Sequence, residues 1–264
     1  MIIVKLGGGK DVSLDYVLQD FAKLKDKKIL VHGANYEANI ISRKLGIEPK
    51  MVTSVSGFES RRTDRETLEI LEMVYSGLVN KRIVEKLQKL GVNAVGLSGL
   101  DGRLWEGSRK PFIKIREGSK VKLLRDDYTG KVEKVNVELL TLLLDNGYVP
   151  VLTIPGISYE SEAINLDNDR AIAVMGGALK ADKVIILLEE GGVLSDIEDK
   201  SSVVKNIDRR ELERYIAITK GRMKKKMLGI KEALDAGVKE VYVADGRIAQ
   251  PISNALNGRG TIIK

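Results

Sequence analysis

The sequence predicts an α/β fold, a three-layer αβα sandwich with a mostly parallel central sheet, and three observations predict it. Short apolar runs such as Ile2-Ile3-Val4 and Ile29-Leu30-Val31 lack polar alternation, as strands covered on both faces do. Stretches of helical apolar spacing separate them, the arrangement of parallel strands joined by crossover helices. Several runs end at glycine, at Gly7-Gly8-Gly9, Gly33 and Gly156, where a strand gives way to a turn. Ligands of such sheets lie beyond the carboxyl ends of the strands, so these turns are the places to look for function.

The first run ends in Lys5-Leu6-Gly7-Gly8-Gly9-Lys10. Glycines after a strand let backbone N–H groups approach an anion with no Cβ in the way, and a fixed ammonium beside them suits a phosphate. A surface lysine before a flexible turn fits these residues equally well. The stretch is not a P-loop, because Asp11 follows Gly9-Lys10, and it is not a G-x-G-x-x-G fingerprint. A helix over residues 14–24 follows, then the strand Lys28–Val31, which ends at His32-Gly33-Ala34-Asn35. His32 is the only histidine; at a strand end it reads as structural more readily than as a general base.

Residues 51–62 read as loop. Thr63-Asp64-Arg65-Glu66 has the form of a capping box. It opens a long helix reaching Leu87, whose apolar residues lie on more than one face, so the helix is buried in the fold or packs against a second subunit. The strand Asn93–Leu97 leads into Ser98-Gly99-Leu100-Asp101-Gly102. A basic hairpin comes next, with Lys110, Lys114 and Arg116 before a turn at Glu117-Gly118-Ser119, and Lys120, Lys122 and Arg125 after it. Alternation is expected to place these charges on the wet face of a two-stranded ribbon. That ribbon is either a soluble edge or a docking surface for an acidic partner.

Residues 127–130 read as loop, 139–144 as helix and 149–154 as strand. A boundary near Ser161 divides the chain into closely packed lobes, 1–161 and 162–264, with no low-complexity linker between them. In the second lobe Asn165-Leu166-Asp167-Asn168-Asp169 precedes a helix over 170–179. These are good cap residues, and the crowded carboxylates suggest that Asp169 orients something charged. After the strand Lys183–Leu188 and a helix opening at Asp208 comes Lys220-Gly221-Arg222-Met223-Lys224-Lys225-Lys226, ahead of a helix ending at Gly237. A lysine run is usually solvated, yet beside a helix N-terminus it can hold phosphate oxygens. Strands at Val241–Ala244 and Thr261–Ile263 complete the chain.

Composition narrows the classes. The 264 residues are 43% hydrophobic, with no apolar stretch long enough to span a membrane and no signal-peptide pattern at the start. With zero cysteines there is neither disulfide nor thiolate chemistry, and a cytoplasmic protein is expected. A net charge of +7 and a pI of about 9.3 call for an acidic partner or substrate. Aromatics at 5%, with no basic stripe interleaved among them, make nucleic acid an unexpected one. A non-catalytic basic module for acidic partners is the alternative class, and the ordered glycine and lysine elements argue against it.

Lys5, Gly8, Gly33, Asp169 and Lys226 all fall just beyond strands or at helix starts, and so can converge. Two lysines, glycine N–H donors and one orienting carboxylate are a set suited to phosphoryl transfer, which needs charge neutralisation and in-line positioning. A carboxylate acceptor, already ionised near pH 7, would need no general base. That suits a chain with one histidine.

These residues, with Arg61–Asp64, Leu78–Lys81, Gly96–Gly102, Tyr128–Gly130, Asn165–Asp169 and Gly221-Arg222-Met223, resemble the amino acid kinase family from end to end. Within it the chain is most similar to the branch acting on 2-aminoadipate or glutamate held by a LysW-like amino-group carrier protein, a branch related to N-acetylglutamate kinase. The resemblance implies that Lys5 and Lys226 flank the transferred phosphoryl and that Asp169 holds both. It implies phosphate or ATP contacts at Gly7, Gly8, Gly192 and Met223. Acceptor contacts are implied at Gly33, Ala34, Asn35, Asn165 and Arg61, with Arg61 on the α-carboxylate. It further implies ATP, with Mg2+ carried mainly by the nucleotide and no metal site of the protein's own, bound by lobe 162–264. Lobe 1–161 would bind substrate and carrier and form a homodimer. The product would be an acyl phosphate serving lysine, and by the glutamate route arginine, biosynthesis; free N-acetylglutamate is the alternative acceptor. Two departures stand out. The family's usual His-Gly-Gly-Gly reads His32-Gly33-Ala34-Asn35 here, and of the adenine-side Thr-Asp-x-Pro-Gly-Val only Gly192-Val193 remains.

Overall fold

The computed structural model describes residues 1–264 apart from 119, 197 and 220. Ser119 of the hairpin turn and Lys220 of the lysine run lie outside the described residues, as does the side chain of Arg222.

An eight-stranded sheet forms the middle layer, in the order Asn206–Ile207, Thr261–Ile263, Glu240–Asp245, Lys183–Leu188, Ile2–Leu6, Lys28–His32, Val149–Thr153, Ala94–Ser98. From Glu240–Asp245 to Ala94–Ser98 every neighbouring pair is parallel, and Thr261–Ile263 runs antiparallel at one side. Every residue of Ile2–Leu6 and of Lys28–His32 is buried. Helices cover both faces, which is why these strands show no alternation. Each fully buried aliphatic here contributes roughly 1.5–3 kcal/mol.

Ile2–Leu6 lies at the centre and aligns Leu6 with His32 on one side and with Leu187 on the other. The sheet is therefore continuous across residue 161. The glycine turn after Leu6, the turn after His32 and the turn after Leu188 emerge side by side, and this alignment positions the site.

Elsewhere the fold departs from expectation. Residues 51–62 are not loop: Met51–Ser54 and Glu59–Arg61 are strands, paired antiparallel. They join Ile113–Glu117 and Lys120–Leu124 in a four-stranded sheet, so the basic hairpin is not a free ribbon. Its charges also do not share one face. Residues directly opposite each other in an antiparallel pair point the same way. Lys114 and Arg116 stand opposite Leu123 and Val121, while Lys122 stands opposite Ile115. The two strands alternate out of phase across the turn, and cations occupy both faces. A second four-stranded sheet, Ala163–Ile164, Gly156–Ser158, Trp105–Arg109 and Gly130–Val135, was not expected from the sequence.

The long helix is capped by Asp64, which accepts from the Thr67 N–H at 3.0 Å and the Thr67 hydroxyl at 2.7 Å. Thr63 is buried and serves the site instead. Between Arg65–Leu71 and Asn80–Lys89 the helix is π-helical over Glu72–Val79, a wider turn that local propensity does not encode. The helix after Asp167 begins at Asn168, two residues earlier than the pattern indicates, with the Asp167 carboxylate accepting from the Asp169 N–H at 2.9 Å. Lys224, Lys225 and Lys226 lie inside the helix Gly221–Asp235 rather than ahead of it.

Candidate functional site

Lys5 is buried in the central strand, and a buried ammonium needs a partner. Asp169, in the first turn of Asn168–Ala178, supplies it through a hydrogen bond from Nζ to Oδ1. The other oxygen, Oδ2, lies 3.6 Å from Lys226 Nζ. The two lysines come from opposite ends of the chain and meet on one carboxylate. A second pair, Lys225 Nζ to Asp167 Oδ2 at 2.5 Å, clamps the same two helices together. Gly229, on the turn after Lys226, permits their approach: a Cβ there would stand 3.1 Å from Asp169 Cβ.

The three charges are unequal. Burial opposes charging Lys5, but Asp169 more than offsets it and the pKa is raised. Burial and then the nearby Lys5 ammonium push Lys226 down to about 8. Burial also opposes ionising Asp169, and the two lysines outweigh it, holding the carboxyl down at about 2. Near pH 7 the cluster is a buried carboxylate under two ammonium groups, with surplus positive charge.

The glycine turns form the rim. Gly8 and Gly33 are packed backbone to backbone: a Cβ on Gly8 would lie 2.7 Å from the Ala34 nitrogen, and one on Gly33 would lie 2.9 Å from the Gly8 nitrogen. Only glycine fits either position. Gly7 donates to the Leu187 carbonyl at 3.1 Å, and the Gly8 carbonyl accepts from the Tyr36 N–H at 3.1 Å. The helix Asn35–Lys44 has Ala34 at its cap with no side-chain hydrogen bond; of its first-turn donors the Tyr36 N–H is taken by Gly8, and those of Asn35 and Glu37 have no partner among the described residues. The Gly8 N–H has no partner among the described residues. Together the rim offers backbone donors next to two ammonium groups, which is chemistry for a polyanion.

His32 is wholly buried and its pKa is lowered to about 4, chiefly by burial. It is a neutral core imidazole, in keeping with the structural reading.

On the other side of Gly33, Arg61 Nη2 donates to Asn39 Oδ1 at 2.7 Å and to Asn35 Oδ1 at 3.4 Å. Burial lowers its pKa. Among the described residues its Nε and Nη1 donate to nothing, which leaves a fork for a carboxylate. Tyr75, from the π-helical turn, donates to Asn35 Oδ1 at 2.9 Å, and burial raises its pKa to about 12. Asn165 Nδ2 donates to the Thr63 hydroxyl at 2.9 Å, and that hydroxyl donates to the Arg61 carbonyl at 3.3 Å. Arg61, Asn35 and Asn165 are thus knit into one wall.

Lys5 and Lys226 meet on Asp169, and Gly8 packs against Gly33 and Ala34 at the ends of the neighbouring strands. Gly192 sits apart, where a Cβ would press 2.7 Å from the Thr261 hydroxyl, and it serves close packing under Val193. Met223 is partly buried one turn before Lys226. Sequence reasoning passed over Asn39, Tyr75, Asn168 and Gly229. Only Asn168 carried a signal, by lying between two aspartates at a helix start; the others depend on which distant element packs against them.

Comparison with known proteins gives the same picture. A sequence profile described as the amino acid kinase family matches residues 1–245. A protein of Deinococcus radiodurans named "[LysW]-aminoadipate kinase" is 50% identical, over 100% of this chain and 91% of its own. A protein of the same name from Thermus thermophilus is 49% identical over 100% of both chains. The crystal structure of N-acetylglutamate synthase from Neisseria gonorrhoeae superposes with a TM-score of 0.78 at 21% identity, covering 99% of this chain and 58% of that one, and shares the fold. Strand ends, paired lysines and glycine rim thus occur in a chain matched along nearly its whole length: it belongs to the amino acid kinase family.

Proposed function

We propose that the protein transfers the γ-phosphoryl of ATP to the side-chain carboxylate of 2-aminoadipate carried, through its amino group, on a small acidic LysW-like carrier protein. Carrier-linked glutamate is a second acceptor of the same chemistry. The observation that carries this reading is the meeting of Lys5 and Lys226 on Asp169 beside unspent backbone donors. The names of the relatives at 49–50% identity support the acceptor.

In this reading the acceptor carboxylate attacks phosphorus in line. A new O–P bond forms, the bond to the β-phosphate oxygen breaks, and ADP leaves with that electron pair. No proton has to move, because the acceptor is ionised near pH 7. Lys5 and Lys226 neutralise the charge on the migrating group, Asp169 keeps both aimed, and Gly8 and Ala34 present N–H donors. Arg61, with Asn35 and Asn165, holds the acceptor's α-carboxylate. Lobe 162–264 holds the nucleotide, with Met223 and the Gly192 loop on its side, and lobe 1–161 the acceptor. Both oxygens of Asp169 are engaged by lysines. Among the described residues no group of three or more His, Cys, Asp or Glu side chains is placed to hold a metal. In this reading Mg2+ would enter on the nucleotide phosphates, where it neutralises charge.

The cationic sheet built on Ile113–Glu117 and Lys120–Leu124 is where we place the acidic carrier. The helix from Arg65 to Lys89 leaves Met73 and Leu78 exposed, and a homodimer packed there would cover them. No described helix is long and apolar enough to cross a membrane, in line with work in the cytoplasm. The deciding assay traps acyl phosphate with hydroxylamine, using carrier-linked aminoadipate, carrier-linked glutamate and free N-acetylglutamate side by side. Hydroxamate is expected only with the carrier-linked acceptors. Equal kcat/KM for free N-acetylglutamate would sink the carrier assignment.

A further inference from the structure

We infer that Asp167 and Lys225 are positioning residues for phosphoryl transfer: their ion pair sets where Lys226 meets Asp169 and keeps a second negative charge beside the two lysines. This rests on the phosphoryl-transfer reading above.

Asp167 repeats, two residues earlier, the arrangement at Asp169, in which each carboxylate oxygen serves a different partner. As the N-cap of Asn168–Ala178 it accepts through Oδ1 from the backbone N–H of Asp169 at 2.9 Å, which fixes the backbone carrying the central carboxylate. Its Oδ2 takes the Lys225 ammonium at 2.5 Å. Lys225 immediately precedes Lys226 on Gly221–Asp235, so one carboxylate holds the chain beside Asp169 and beside Lys226 at once. The far end of the helix pair is fixed by packing: a Cβ on Gly177 would lie 2.5 Å from Ala236 Cβ. A further ion pair, Arg170 to Glu232 at 3.5 Å, joins the same two helices. Glu232 lies about 9 Å along the helix from Lys226, away from the centre.

The side chains of Lys225 and Asp167 are 46% and 27% exposed. A pair so placed adds little to stability, because solvent screens it. Its effect is local. Lys226 faces Lys5 from the central strand and Asp169 and Asp167 from the start of Asn168–Ala178, with Lys225 next to it on its own helix. Two carboxylates thus stand among three ammonium groups. Burial and then Lys5 push Lys226 down to about 8, while Asp169 and then Asp167 pull it up. Asp167 acts on Lys5 in the same sense. Without the Asp167 charge, the Lys225 ammonium would also lose its partner beside Lys226.

Three variants test this, each read as kcat and as the pH dependence of kcat/KM for ATP. Asp167→Asn keeps an oxygen for the Asp169 N–H and removes the charge. The drop in kcat/KM at high pH should begin about half a pH unit or more below its wild-type position. Lys225→Met breaks the ion pair but leaves the Asp167 charge in place. Its drop should not move down, while kcat falls about threefold or more at every pH as Lys226 loses its register. Glu232→Gln breaks the other pair between the helices and should match wild type in both readouts. A wild-type pH profile in Asp167→Asn overturns the proposal, as does wild-type kcat in Lys225→Met. So does the same downward move in Lys225→Met or Glu232→Gln, which would mark a merely structural clamp. Should Asp167→Asn fail to fold, kcat of Lys225→Met against that of Glu232→Gln decides. If Lys5→Ala is inactive while Asp167→Asn and Lys225→Met match wild type, the positioning role falls and the phosphoryl-transfer reading stands; an active Lys5→Ala removes that reading itself.

Discussion

The lysine–aspartate centre and the cationic sheet both carry positive charge, but they carry it in opposite ways. At the centre Lys5 is buried and Lys226 half-buried, and each charge is held by a named carboxylate oxygen. On the sheet Lys114, Arg116, Lys120 and Lys122 are exposed and spread over both faces. In a dry site each interaction is strong and geometry decides the outcome; in water it is screened and only the summed field matters. The centre is accordingly suited to chemistry, and the sheet to capture.

Replacing Lys5 or Lys226 by alanine tests the centre hardest. Turnover should fall by about 10²–10³-fold, the effect of losing one electrostatic stabiliser. Lys28 is the control: it is also a buried lysine, but its Nζ caps the Phe21, Ala22 and Leu24 carbonyls. Lys28→Met should lower stability by about 1–3 kcal/mol and leave turnover of the folded enzyme near normal. If the Lys5 and Lys28 variants lose turnover alike, burial rather than placement explains the centre.

Arg61 lies between the two regimes. Arg61→Ala should raise KM for the acceptor by about 10–100-fold, the worth of a charged hydrogen bond, with KM for ATP unchanged. A rise in KM for ATP of the same size would place Arg61 on the wrong substrate.

The pH profile separates the two lysines. Lys226, lowered to about 8, is the first of the pair to lose its proton as pH rises. It is charged below that value and neutral above it. kcat/KM for ATP should be level below pH 8 and then drop about tenfold per pH unit, as for loss of one essential proton. In Lys226→Arg, whose guanidinium stays charged, that drop should vanish. A level wild-type profile up to pH 10 would contradict the placement of Lys226.

The smallest effect belongs to the sheet. Lys120→Glu with Lys122→Glu should raise KM for the carrier-linked acceptor by about 3–10-fold at low salt and much less at high salt, with kcat intact. Salt-independent loss, or loss of kcat, would move the carrier elsewhere.

How legible each region is follows from the same contrast. Lys5, the glycines and His32 lie at strand ends that any parallel-sheet pattern marks, so the centre can be found by asking what each turn carries. Asp169 and Lys226 stood out as crowded charges beside helix starts. The sheet at 51–61 misread as loop because it is held by pairing with a hairpin more than fifty residues away, and its strands bury little to mark them. The capping threonine misread because Asp64, one residue on, outcompeted Thr63, which Asn165 claims from a distant part of the chain.

Apolar periodicity and strand-end glycines are local properties, and through them the sequence alone determined the layered architecture, the central strands and the residues able to meet a phosphate. Only the tertiary structure decided which oxygen each lysine holds, which face each hairpin cation takes and where the long helix widens. Those outcomes are settled by partners far apart in the chain. A hydrogen bond chosen across the core leaves no periodicity along the sequence.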